Sequence, residues 1–166
     1  MDELNFPKSL LEKKIKLKPS YTNSHFFLMQ FFNKIFGFMP SLVFYNEYSV
    51  FYFLCSKKYN MIQAKFSDKK NELVKKFIKN LFLISYDDFI TLDKFIHNLF
   101  PHVFIHLLEY QIEETNRNTI SIFVYVKECK LKFCLGQGGY YIKSINEILH
   151  SYLDKRITLY LRSLGI

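Results

Sequence analysis

Tryptophan is absent from this 166-residue sequence, and cysteine, proline and glycine are scarce at three, four and five residues. Three cysteines, an odd number, cannot make a disulfide framework and point to an intracellular, reducing compartment, either the cytoplasm or an organelle matrix. Cys129 and Cys134 lie five apart, and His102 and His106 four apart; neither spacing matches a common zinc pattern, so no metal site is expected. The sparse glycine and proline leave no low-complexity linker. The aromatic run from Phe26 to Cys55 is interrupted by Asn33-Lys34, Pro40 and Asn46-Glu47, so no stretch reaches the ~18 uninterrupted apolar residues of a membrane span. The acidic start Met-Asp-Glu-Leu is unlike the basic start of a secretory or transit segment. No G-x-x-x-x-G-K-[ST] phosphate loop occurs, which argues against nucleotide hydrolysis. The Ser, His and Asp residues show no nucleophile pattern, so neither a catalytic set nor a cofactor is expected.

What is present is apolar and basic. Hydrophobic residues make up 49% of the chain, 19 of them Phe and 12 Tyr, enough for a real core. The net charge of +8 favours polyanionic partners. It is uneven: residues 1–100 hold 15 Lys/Arg against 9 Asp/Glu, residues 101–166 only 8 against 6.

The patterning divides the chain into three. Residues 1–22 are polar, Lys-rich and carry Pro7 and Pro19, which reads as a flexible basic arm. Residues 23–90 form an aromatic-rich α/β extension. Helical spacing covers 25–38. Strand formers fill 41–55, split by Asn46-Glu47. A helix is expected over 68–83, with Leu73, Val74, Phe77, Ile78 and Leu81 as its stripe and Lys69, Lys70, Lys75, Lys76 and Lys79 around it. Residues 91–166 form the third part. A short helix, Leu92 to Phe100, is stopped by Pro101. A strand follows over Val103–Ile112, then a polar turn over 114–119. A second strand alternates Ile120, Ile122, Val124 and Val126 with Ser121, Phe123 and Tyr125. Lys127–Leu135 reads as helical turns. Tyr140–Leu153 is the clearest helix, with Tyr141, Ile142, Ile145, Ile148, Leu149 and Tyr152 on one face. A last strand alternates Ile157, Leu159 and Leu161. No internal repeat is visible.

Between the two helical segments stands Gly136-Gln137-Gly138-Gly139. Glycines allow a sharp turn and close backbone approach, and the loop opens onto a helix N-terminus that favours an anion. A phosphate can rest there without a cationic side chain. Phe133, Leu135 and Ile142 are placed to line an adjoining groove, with Lys132, Lys143 and Lys130 as nearby cations. A plain helix–helix turn would use the same glycines; the order helix, strand, strand, helix, glycine loop, helix, strand is what separates the two readings.

That order resembles the type II KH fold, an α+β module with a three-stranded sheet packed by helices, in which a G-x-x-G loop clamps about four nucleotides. The resemblance is nearest to the C-terminal KH domain of the Era family, GTPases of small-ribosomal-subunit assembly. Leu99-Phe100-Pro101-His102-Val103 resembles the start of that domain's first strand. Glu109 to Glu114 resembles the acidic end of that strand, and Ile122-Phe123-Val124-Tyr125-Val126-Lys127-Glu128 the second. Phe133 to Gly139 resembles the run into Gly-Lys-Gly-Gly; Ile142-Lys143-Ser144-Ile145 follows at the same spacing, and Lys155 to Leu161 resembles the last strand. The likeness implies a binder of single-stranded RNA, rRNA of the small subunit, with ribosomal proteins as further partners and no membrane role. Structural ribosomal protein of KH type, C-terminal fragment of an Era-like GTP-binding protein, and protein-interaction module with a degenerate loop are the alternatives.

Two departures bear on affinity. Gln137 stands where the family has Lys, and Tyr140 where a basic or small residue is common, so charge beside the loop is reduced. Tyr140 is the residue expected to stack on a base, and Tyr141 to lie in the core. Upstream, Asn33-Lys34-Ile35-Phe36, Cys55-Ser56-Lys57-Lys58 and Asp87-Asp88-Phe89-Ile90-Thr91 faintly echo segments of a GTPase domain, which makes residues 23–90 readable as a remnant of one.

Overall fold

The structure, a computed structural model, describes residues 10–77, 79–113 and 118–165. In chain order the described elements are β1 (Lys14–Ile15), α1 (Asn23–Phe36), β2 (Leu42–Tyr45), β3 (Ser49–Leu54), α2 (Ser56–Phe77) and β4 (Asn80–Ser85). They continue with β5 (Ile90–Thr91), α3 (Leu92–Leu99), β6 (Leu107–Glu113), β7 (Thr119–Val126), α4 (Glu128–Leu135), α5 (Tyr140–Tyr152) and β8 (Ile157–Ser163). The chain is α+β and divides into two compact units, Lys18–Asp87 and a second that joins residues 10–17 to 88–165.

In the Lys18–Asp87 unit, α1 buries Leu28, Met29 and Phe32, the helical repeat of one face. It stops at Gly37, whose φ of 87° lets its N–H close on Asn33 O at 2.7 Å. β2 and β3 form an antiparallel hairpin, Leu42 opposite Phe53. Its turn is set by Asn46, whose side-chain oxygen accepts from the Tyr48 and Ser49 amides at 3.0 and 2.9 Å. α2 then carries the chain to β4, which runs parallel to β3 with Ser49 opposite Asn80. β3 is central and buried at all six positions, as a strand covered on both faces must be. Tyr52, deep in this core, donates its hydroxyl to Leu28 O at 3.0 Å, and burial pushes its ionisation well up.

In the other unit β6, β7 and β8 form a sheet in that order, β6–β7 antiparallel and β7–β8 parallel. The alternation along β7 holds: Ile120, Ile122, Val124 and Val126 are buried and their neighbours half-buried. The core adds Phe95, Ile96 and Leu99 from α3 and Ile145, Ile148 and Leu149 from α5. The segment α4–loop–α5 is the crossover from β7 to β8. Asn146 on α5 grips the edge strand, donating to Leu159 O at 3.1 Å and accepting from Leu159 N at 2.7 Å. Asn146→Ala strips two bonds from β8 and is expected to lower stability by about 1–3 kcal/mol in urea denaturation; a midpoint equal to wild type would show that water replaces both. The turn into β8 is braced by Arg156, which donates to both Asp154 oxygens at 3.0 and 2.8 Å. Burial alone would raise the Asp154 carboxyl, but the Arg156 guanidinium holds it below its ordinary value.

Four expectations need correction. The arm predicted over 1–22 is folded from residue 10: Leu10, Ile15 and Leu17 are buried, and β1 pairs antiparallel with β5, because Ile15 and Leu17 alternate with lysines as a half-buried strand does. Residues 1–9 lie outside the described residues. The unit boundaries accordingly fall at 17/18 and 87/88 rather than 22/23 and 90/91. The helix predicted over 68–83 starts at Ser56 and ends at Phe77; Leu81 is a fully buried strand residue, since Leu81-Phe82-Leu83-Ile84 is an apolar run too short for periodicity to tell strand from helix. Ile78 and residues 114–117 of the polar turn lie outside the described residues. The strand predicted from Val103 begins at Leu107: Pro101 and a left-handed His102 (φ 69°) hold the chain in a turn, and sheet pairing starts with His106 N to Tyr125 O at 2.9 Å.

The fourth correction concerns repetition. α1-β2-β3-α2-β4 and α3-β6-β7-(α4–loop–α5)-β8 share element order, strand order and strand direction. The chain contains a topological repeat with no matching sequence repeat, because a strand pattern can be kept while every side chain changes. The 22-residue helix α2 stands where the other unit has two helices and a glycine loop.

Candidate nucleic-acid interface

α4 ends where Gly136 N donates to Lys132 O at 3.0 Å. Gly136 then takes φ 75° and ψ 172°, a backbone region essentially closed to other residues. The next three residues make one 3₁₀ turn, with Gly139 N donating to Gly136 O at 3.1 Å and the Tyr140 amide to Gln137 O. Gly138 (φ 63°, ψ 15°) and Gly139 (φ 75°, ψ 12°) are both left-handed. Three positive-φ residues within four explain why the sequence spends three of its five glycines here. The Gly136, Gly139 and Tyr140 amides build the turn, and Gln137 and Gly138 are its exposed residues.

The ten predicted site residues fall into distinct settings. Gln137, Gly138, Lys132 and Lys143 are exposed; Gly136, Gly139, Leu135 and Ile142 are half-buried. Phe133 is 72% exposed and Tyr140 39%, two aromatic rings open to solvent on either side of the loop. Lys130 lies 5.4 Å over the Phe133 ring, giving that ring one cationic face. Tyr141, expected in the core, is half-buried; its hydroxyl donates to Leu99 O, and its ring meets Phe100 edge-on at 5.9 Å. Between Phe133 and Leu135, Cys134 is buried, and desolvation pushes its thiol up to about 11, which marks it as a packing residue.

Sequence reading set apart only Gln137 among the four loop residues and missed the special place of Gly136. A Cβ there would lie 2.6 Å from Tyr141 Cβ and 3.0 Å from its amide nitrogen, whereas Gly139 faces open space. No one-dimensional pattern carries that difference. Chemically, the site offers an exposed glycine turn leading into a helix start, flanking lysines and two solvent-exposed rings. That set suits a phosphate with unpaired bases. Among the described residues, no three His, Cys, Asp or Glu side chains converge as a metal site, and no helix is long and apolar enough to cross a membrane.

No family model matches the chain, and no curated protein matches it. Among solved structures it is similar to APE1850, with a TM-score of 0.66 at 19% identity over 86% of this chain and 100% of that one. What the two share is the fold. Coverage of 86% exceeds either unit alone, so the likeness takes in residues of both.

Proposed function

We propose that residues 92–163 are a type II KH module that binds single-stranded RNA through Gly136–Gly139, as a binder and not an enzyme. The observation that carries this is the placement of the glycine turn. Three positive-φ glycines join two helices that together form the crossover from the central strand β7 to its parallel neighbour β8 in a three-stranded sheet. A phosphate on the Gln137 and Gly138 amides leaves its neighbouring bases beside Leu135 and Ile142, with Phe133 and Tyr140 available to stack. The resemblance to the Era C-terminal domain supplies the class of RNA, small-subunit rRNA, and the setting, subunit assembly. The shared strand order supports reading Lys18–Asp87 as a second unit of the same topology in place of a GTPase remnant.

Because bases must be unpaired to enter such a groove, fluorescence anisotropy should show a short single-stranded RNA bound at least about tenfold more tightly than the same sequence in a duplex. Equal affinity for the two would sink the groove reading.

A further inference from the structure

The charge of the chain does not sit with the glycine loop. Lys18–Asp87 holds 10 Lys/Arg against 4 Asp/Glu, a net of +6, and the rest of the chain only +2. Half of those ten lie in the described side chains of one helix: Lys57, Lys58, Lys65, Lys69 and Lys70 of α2.

Their arrangement is ordered. At 100° per residue, Lys58, Lys65 and Lys69 fall within about 40° of one another, a stripe about 16 Å long beside the buried line of Ile62 and Phe66. Two of them ride on aromatic rings: Lys58 Nζ is 4.8 Å from the Phe38 centroid and Lys69 Nζ 6.0 Å from that of Phe36. Phe36 is itself stacked on Phe66 at 6.0 Å. The rings support the aliphatic stems and leave the ammonium groups at the surface. Among the described residues none of the five lysines enters an ion pair. Asp87, one of the few acids of this unit, is turned to the start of α2, where it accepts from Ser56 N at 3.2 Å. The exposed Asp68 borders this stripe, about 60° around the helix from Lys65, so the ridge is predominantly basic with one acid on its flank.

The stripe also has a telling position. α2 occupies the crossover that, in the other unit, carries the glycine loop. Resting on the RNA reading above, we infer that the Lys58–Lys65–Lys69 ridge is a second RNA contact, one that holds the phosphate backbone by charge and reads no bases. An unbroken helix has no free amides along its side, so its hold on phosphate must come from side chains. The loop then supplies selectivity for unpaired RNA, and the ridge supplies sequence-independent affinity that compensates for Gln137.

The test is a salt series of anisotropy titrations on the full chain with several single-stranded RNAs, comparing wild type, Lys58→Gln/Lys65→Gln/Lys69→Gln, the corresponding triple Arg variant, and Gly138→Asp. Three lost phosphate contacts at about 0.7 each should make the slope of log K against log salt shallower by about 2 in the Gln variant, weaken all sequences alike, and leave the Arg variant unchanged. A wild-type slope in the Gln variant, with Gly138→Asp still weakening binding at least about 30-fold, overturns the ridge and leaves the loop standing. A shallower slope with Gly138→Asp binding normally leaves the ridge standing and overturns the loop. Arg and Gln variants that weaken equally, or a Gln variant that loses its thermal transition beside a wild-type-like Arg slope shifted downward, reduce the lysines to packing and overturn the ridge as well.

Discussion

Gly138→Asp is expected to cost about 2–4 kcal/mol of RNA affinity, roughly 30- to 900-fold, while leaving the fold intact. Both halves of that statement follow from the turn. Gly138 sits at φ 63°, ψ 15°, the left-handed region that aspartate tolerates better than most residues. Its added Cβ would come within 3.1 Å of Tyr140 Cε2, a side-chain ring atom and not main chain. The structural cost is therefore about 1 kcal/mol. The carboxylate, in contrast, would stand at the exposed Gln137–Gly138 edge where a phosphate would rest, and two anions there repel. Gly138→Asn is the control, with the same shape and no charge. It should retain most of the affinity while matching the aspartate variant in urea denaturation. Aspartate and asparagine variants that bind alike would show that the loop acts by shape alone, and unchanged binding by both would remove the loop from RNA recognition.

The parts of the fold legible in the sequence are those where one period acts alone. Ile145, Ile148, Leu149 and Tyr152 recur as one helical face, and Ile120 to Val126 alternate cleanly, so α5 and β7 lie where the pattern puts them. The illegible parts depend on partners far along the chain. β1 and β5 are two residues each and exist only because Lys14 and Ile15 meet Thr91 and Ile90. β4 is apolar without alternation, so only its pairing with β3 identifies it as a strand. His102 takes a left-handed turn that its residue type does not announce.

The topological repeat was hidden for a related reason. Hairpin, crossover and parallel return are set by strand pairing, which constrains polarity more than identity. β3 is buried at every position, whereas its counterpart β7 alternates. The two strands thus share a place in the sheet and almost nothing a sequence comparison could detect. The same freedom lets one crossover hold a glycine loop and the other a single basic helix.

Gly136→Ala should be the most damaging change in the loop for stability, at about 3–4 kcal/mol. Gly136 combines two demands that its neighbours meet singly or not at all. Its φ 75°, ψ 172° lies where a side chain costs ~1–3 kcal/mol in strain. A Cβ would also sit 2.6 Å from Tyr141 Cβ, and both atoms are fixed to the main chain, so no rotamer change relieves the contact. Tyr141 cannot easily yield, being tied by its hydroxyl to Leu99 O and packed on Phe100. The start of α5 would have to move away from the end of α4. Gly139→Ala meets nothing within 4 Å and pays only for its left-handed backbone, about 1–2 kcal/mol. Urea denaturation of the pair therefore separates close approach from backbone freedom. A Gly136→Ala variant no less stable than Gly139→Ala would mean that the α4–α5 junction gives way at little cost, and that the turn is not the rigid phosphate seat on which the RNA reading depends.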